Sequence, residues 1–134
     1  MSQHLVFNPP ELAKAVGYSH AVVAAPGRTI YLAGQIAWDE DSRIVGDTWP
    51  EQFDLALGNL ITALEAAGGR PEHLTWMQIF TVDVAAYRAS RPELGPIYRR
   101  HMGSHFPAMG LYGVTDLADV GALMEVTAIA VVAD

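Results

Sequence analysis

The 134-residue sequence contains no cysteine. Disulfides, a thiolate nucleophile and a thiolate-based zinc site are therefore excluded. Basic residues are scarce as well: eight Lys and Arg against fifteen Asp and Glu leave a net charge of −7. Nucleic-acid binders draw affinity from a positive footprint, so this balance opposes a general RNA or DNA binder. The one basic cluster, "YRRHMGSH" at 98–105, reads instead as cations that complement the dipole at a helix C-terminus. No apolar run reaches the length of a membrane span. The opening stretch "MSQHLVFNPPELAKAVG" lacks the basic segment and apolar core of a secretory signal. A cytoplasmic protein is expected, with no membrane partner. The G-x-S-x-G, P-loop and G-x-G-x-x-G signatures are missing too, which removes the familiar serine-hydrolase and nucleotide-binding readings.

What is present is ordinary globular composition, 51% apolar and 17% charged. No linker, repeat or low-complexity stretch divides it, so residues 1–134 read as a single domain. "SHAVVAA" (19–25) and "TIYLAGQIAW" (29–38) have strand character, and the intervening "PGR" is a hairpin turn signal. "DEDSRIVGD" (39–47) is polar turn chemistry with room for a short strand.

The clearest helix follows over 48–69. Phe53, Leu57, Leu60, Ile61 and Leu64 form one stripe at helical spacing. Thr48 and Glu51 fit a capping box, and Gly68 is a natural stop. "LTWMQIFTVDV" (74–84) reads as a strand with Trp76, Phe80, Val82 and Val84 on one face and Met77 and Ile79 on the other. A weaker helix is expected near 91–103, with Ser90 and Glu93 spaced as its cap pair and Pro96 complicating its start. "MGLYGVTDL" (109–117) and "ALMEVTAIAVV" (122–132) complete an order β-β-β-α-β-α-β-β.

This order leaves a burial problem. The strands are apolar on both faces, while two helices cover only one face of such a sheet. Symmetric self-association is the usual solution, so the chain reads as a subunit of an obligate oligomer.

Two features carry candidate chemistry. His101 and His105 have the i, i+4 spacing of a helical ligand pair, but no third ligand stands nearby and Gly103 lies between them. They read as solvated histidines at a helix end, and no metal is expected. Glu125 sits inside the apolar run "GALMEVTAIAVV". A buried carboxylate without a partner is unfavourable. One reading is a structural glutamate satisfied by an arginine or a backbone amide. The other is a carboxylate held in a partly apolar cleft so that it can move protons. The pattern alone leaves both open. Trp38, Trp49, Trp76, Tyr98 and Tyr112 are most simply core or interface residues.

Taken together, "IYLAGQIAWDEDSRIVGD", "LGNLITALEAAGG", "IFTVDVAAY", "HFPAMG" and "MEVTAIAVV" resemble, in matching order over nearly the whole chain, the Rid family of YjgF or RidA-like proteins. The resemblance implies a chorismate-mutase-like α/β subunit, with two helices on one face of a sheet, assembled as a homotrimer. It implies small-molecule clefts between neighbouring subunits and hydrolysis of reactive enamines and imines to ketones and ammonia. A water and one carboxylate suffice for such hydrolysis, so no cofactor is expected. Glu125 matches the family's glutamate of the last strand, Tyr18 its cleft tyrosine, and Gly34 the glycine of its "GQ" turn.

Departures from the family pattern are specific. Met109 stands after "FPA", where active deaminases carry an arginine that grips the substrate carboxylate. Ala33 replaces a serine, Leu111 replaces a small polar or thiol side chain, and "ASRPELGPIY" has no equivalent of the asparagine before the second helix. The cleft has kept its carboxylate and become more apolar. A divergent deaminase acting on a small enamine, imine or related carbonyl metabolite is the leading expectation. A non-catalytic metabolite sensor or carrier is the alternative, and an endoribonuclease is disfavoured by the acidic balance.

Overall fold

The computed structural model describes residues 3–134. Three strands, β1 (Leu5–Phe7), β2 (Ala21–Val23) and β3 (Gly27–Gln35), precede the helix α1 (Trp49–Ala66). A 3₁₀ turn (Pro71–His73) leads into β4 (Leu74–Thr81), followed by α2 (Val84–Met102), β5 (Ala108–Gly113) and β6 (Met124–Ala133). The order of element types is the expected one, but the three leading strands differ from the expected ones. β1 is a three-residue strand with no alternation to reveal it. The short strand anticipated within 39–47 is only a bridge between Trp38 and Ile44. That bridge closes a turn in which Asp39 Oδ1 accepts the amides of Asp41 and Arg43 at 2.9 and 3.0 Å.

The "PGR" hairpin does not form. β2 pairs antiparallel with β1 in a separate two-stranded sheet, and β3 belongs to a four-stranded sheet of order β3-β6-β4-β5. Gly27 explains the change of partner. A β-carbon there would lie 2.7 Å from the carbonyl carbon of Val132, so glycine lets β3 begin against the end of β6. Asp134 N–H then donates to the Pro26 carbonyl at 3.1 Å. β6 is antiparallel to both neighbours, whereas β4 and β5 run parallel. The last strand of the chain thus becomes a central strand of the sheet.

Both helices pack on one face of this sheet. The α1 stripe is buried as its spacing requires, with Leu57, Leu60 and Leu64 fully inaccessible. Burying each such leucine contributes about 2 kcal/mol relative to leaving it in water. Opposite them lie Met77 and Ile79 of β4 and Met124, Val126, Ala128 and Ala130 of β6, all buried. Thr48 caps α1 by accepting Glu51 N–H at 3.3 Å, while its hydroxyl donates to the Glu51 carboxylate at 3.0 Å. Gly68, at φ +91°, ends the helix in the left-handed region that favours glycine.

The second helix departs from expectation in both its start and its length. β4 ends at Thr81, so Val82 and Val84 do not continue its outer face. Asp83 is the N-cap, accepting Ala86 N–H at 2.9 Å. Ser90 is a buried interior residue whose hydroxyl donates to the Ala86 carbonyl at 2.7 Å. Pro92 and Pro96 both lie inside the helix on exposed positions, where carbonyls freed of helical donors meet solvent. Thr81 sets the early start. Its buried hydroxyl donates to the Leu123 carbonyl at 2.7 Å and accepts Trp49 Nε1–H at 3.0 Å and Asp83 N–H at 3.1 Å. One hydroxyl thereby ties the end of β4 to α1, to the approach of β6 and to the cap of α2.

Candidate functional site

The six residues singled out in the sequence fall into two groups on opposite faces of the sheet. Met109 and Leu111 pair with Met77 and Ile79, so they face the helices. Glu125 pairs with Phe80, and Glu125, Thr127 and Ile129 alternate with the buried residues of β6. Ala33 and Gly34 accompany Glu125, through a local irregularity.

That irregularity is a β-bulge. Leu32 pairs with Ala128 and Gln35 with Val126, so three steps on β3 match two on β6. An extra residue on one strand bends it and re-aims its side chains. Here it turns position 34 onto the open face, beneath Glu125. A β-carbon at Gly34 would collide with Glu125 Oε2 and lie 2.7 Å from its carboxyl carbon. The carboxylate therefore lies directly over glycine backbone. No hydrogen-bond donor or cation among the described residues is paired with it. The surrounding face is largely apolar: Phe80 and Tyr112 rings lie 5.6 Å apart, and Tyr31, Ile129 and Trp76 share one register line. Tyr31 is 78% exposed.

On the other face, Tyr18, Met109 and Leu111 line a groove of about 700 Å³. This volume suits a small-molecule ligand. Its floor includes Ile79, Met109 and Leu111; α1 contributes Trp49 and Phe53. Tyr18 reaches it because the preceding loop is sewn to the start of β5. Ser19 N–H donates to the Pro107 carbonyl at 3.1 Å, and Ser19 Oγ donates to the Phe106 carbonyl at 2.5 Å. The Tyr18 ring meets His20 edge-on at 5.2 Å.

Sequence reasoning missed the α2 wall of this groove. Tyr87, Leu94 and Tyr98 line it, together with the guanidinium-bearing Arg91 and Arg99. Tyr98 stacks on Phe106 at 5.1 Å and donates its hydroxyl to the His105 carbonyl at 2.6 Å. Burial pushes its phenol well above the usual range. A helix starting at Val84 includes Tyr87 and carries Arg91 in its interior, whereas one starting at 91 leaves Tyr87 outside and Arg91 at its very start.

The histidines also differ from expectation, being half-buried and bonded. His101 Nε2 lies 2.6 Å from Asp54 Oδ1, and Arg100 donates to Asp54 Oδ2 at 3.3 Å. His105 Nε2 contacts the Leu74 carbonyl at 2.7 Å. Partial burial raises the Asp54 pKa, but the His101 hydrogen bond and the Arg100 charge outweigh it and hold the carboxyl below its ordinary value. This cluster ties α1 to α2. No helix among the described residues is long and apolar enough to cross a membrane.

Comparison with known proteins agrees with the geometry. The family model described as endoribonuclease L-PSP matches residues 9–132. The human protein named 2-iminobutanoate/2-iminopropanoate deaminase is 32% identical over 124 residues, covering 89% of this chain and 85% of its own. Protein HMF1 of Saccharomyces cerevisiae is 28% identical over 118 residues, covering 88% and 86%. The solved structure of YyfB, a conserved Rid-family protein of Yersinia pestis, superposes with a TM-score of 0.82 at 31% identity, covering 96% and 98%. The chain belongs to the endoribonuclease L-PSP family, the family also called Rid or YjgF.

Proposed function

We propose that this protein is a divergent Rid-family deaminase that hydrolyses a small apolar enamine, imine or related carbonyl metabolite, with Glu125 as its acid/base. The observation that carries the reading is the unpartnered Glu125 carboxylate seated over Gly34 on the open face of the sheet. A structural glutamate in that position would have its oxygens taken up by donors. The names of the human and rat relatives, 2-iminobutanoate/2-iminopropanoate deaminase, favour the same chemistry.

The reaction needs water and one proton carrier. Water adds to the imine carbon as the carboxylate takes its proton. The same carboxyl returns that proton to nitrogen to give a carbinolamine. It then relays the carbinolamine's hydroxyl proton to nitrogen as the carbon–nitrogen bond breaks, and ammonia leaves a ketone behind. An enamine first takes a proton on carbon to become the iminium. A positioned carboxylate that alternates between base and acid supplies each transfer, so no cofactor enters.

A homotrimer completes the site. Within one chain the Tyr18, Met109 and Leu111 group and the Ala33, Gly34 and Glu125 group lie on opposite faces of one sheet. A second copy that lays its groove against the open face joins them into an intersubunit cleft and covers the exposed aromatics. The cytoplasm is the proposed location.

A non-catalytic metabolite sensor or carrier is the second reading. It is favoured by Met109, which offers no ionic grip where the family's deaminases carry arginine. An endoribonuclease is opposed by the net charge of −7. The discriminating experiment measures ammonia release from a panel of enamines and imines alongside thermal-shift binding of stable analogues. Catalysis predicts turnover of the compounds that bind. Binding without turnover of any of them establishes the sensor.

A further inference from the structure

The groove is mostly apolar, but its helical wall carries two cations. Arg91 and Arg99 both line it from α2. The Arg91 guanidinium carbon lies 5.2 Å from the Tyr87 ring centroid, a cation–π arrangement over a ring that also faces the groove. Arg99 folds back over Gly95. A β-carbon at 95 would stand 3.2 Å from one terminal nitrogen of that guanidinium, and Gly95 itself borders the groove. Glycine in mid-helix is unfavourable by roughly 1 kcal/mol relative to alanine; here it opens the space across which the Arg99 side chain lies.

Neither guanidinium is in an ion pair among the described residues. Arg100, one position along, is different: it is committed to Asp54. In a chain with a net charge of −7, two cations without a carboxylate beside one apolar groove are complementary to an anion. A planar guanidinium fork matches a carboxylate in two parallel hydrogen bonds.

We propose that Arg99, supported by Arg91, forms a carboxylate-binding subsite on the α2 wall, so that the groove selects an apolar ligand that ends in a carboxylate. The anionic anchor has moved from the strand floor at position 109 to the helix. The floor is left to Met109, Leu111 and Ile79, which receive the apolar body, and Tyr98 and Phe106 offer it a stacked aromatic pair. The inference rests on the reading that the groove is half of the ligand cleft, and it names the substrate class of that cleft.

The test measures binding, so it is independent of turnover. The intact oligomer is titrated with 3-phenylpropanoate and with its neutral counterpart 3-phenylpropanamide, followed by calorimetry and NMR shift changes. The wild type is expected to bind the carboxylate at least about tenfold more tightly than the amide, the factor for one charged hydrogen-bonded contact. Added salt weakens the preference. Arg99→Gln is expected to abolish it, Arg91→Gln to reduce it, and Arg99→Lys to restore only part. Equal binding of acid and amide by the wild type overturns the subsite. So does an Arg99→Gln variant that keeps the preference, or one whose main defect is loss of the oligomer by light scattering. Carboxylate selectivity that depends on Arg99, in a protein that turns over no enamine, sinks the deaminase reading and leaves the subsite standing.

Discussion

The Glu125 carboxylate fills the space that a side chain at position 34 would occupy. A β-carbon built on Gly34 lies 2.7 Å from Glu125 Cδ and 2.9 Å from Cγ. The bulge in β3 and the last strand of the chain therefore form one unit, in which a glycine on β3 determines where a carboxylate on β6 rests.

Gly34→Ala consequently pushes the carboxylate away. The atoms displaced belong to a flexible, half-buried side chain. The expected stability cost is therefore at or below the low end of the ~1–3 kcal/mol typical of core overpacking, with a much larger proportional loss of turnover. Denaturant unfolding and a turnover assay on the same preparation check this. Unchanged activity would mean that the position of the carboxylate does not matter to the reaction.

Glu125→Gln preserves size and one acceptor while removing the proton-carrying group. The fold, oligomer and melting temperature are expected to stay close to wild type, because no partner among the described residues loses an ion pair. Any deaminase turnover is expected to vanish. A large melting loss with activity per folded oligomer intact would falsify the acid/base role.

The open sheet face predicts assembly. Tyr31, Ile129 and Trp76 lie in register across three strands, and Tyr31 and Tyr112 are 78% and 42% exposed. Contiguous apolar surface of this kind marks an association site. Light scattering is expected to give a trimer at micromolar concentration, and Ile129→Lys to dissociate it. A well-folded wild-type monomer would refute the assembly.

Met109→Arg is expected to raise turnover of 2-aminoacrylate. A buried charge-assisted contact is worth roughly 2–5 kcal/mol, which corresponds to a gain of tens to thousands of times. Wild-type activity on this short substrate is expected to be correspondingly poor. Initial rates of ammonia release from 2-aminoacrylate generated in situ decide it, and no gain in the variant would show that position 109 does not face the substrate.

The acid side of the stability profile follows from Asp54. Its folded pKa is depressed below the ordinary 3.8. The carboxylate therefore contributes stability that is present above that ordinary value and is lost as pH falls through the folded value. Asp54→Asn is expected to lower stability at neutral pH and to flatten its decline as pH falls below the ordinary carboxyl value of 3.8. Unfolding midpoints across that range measure the effect. Parallel profiles for the two proteins would exclude the link.

Local physics made much of this protein legible in the sequence. The α1 stripe, its Thr48 cap and its Gly68 stop depend only on residues within a few positions, so periodicity and turn chemistry were enough. The alternation of β6 likewise put Glu125 on the face opposite Met124 and Val126 before any partner strand was known. Tertiary contacts decided the rest. Asp83 rather than Ser90 starts α2 because Thr81, at the end of β4, also bonds to Trp49 and Leu123, residues more than thirty positions away. Two prolines that signal a break are accepted where the helix is exposed and its other side is packed. β2 leaves β3 for β1 because Gly27 fits against the carbonyl of Val132 near the far end of the chain. The sheet also separates the six candidate residues onto two faces and sets Arg91 and Arg99 beside three of them. Neighbours along the chain encode the elements; the bulge, the strand order and the faces arise only when distant segments compete for the same partners.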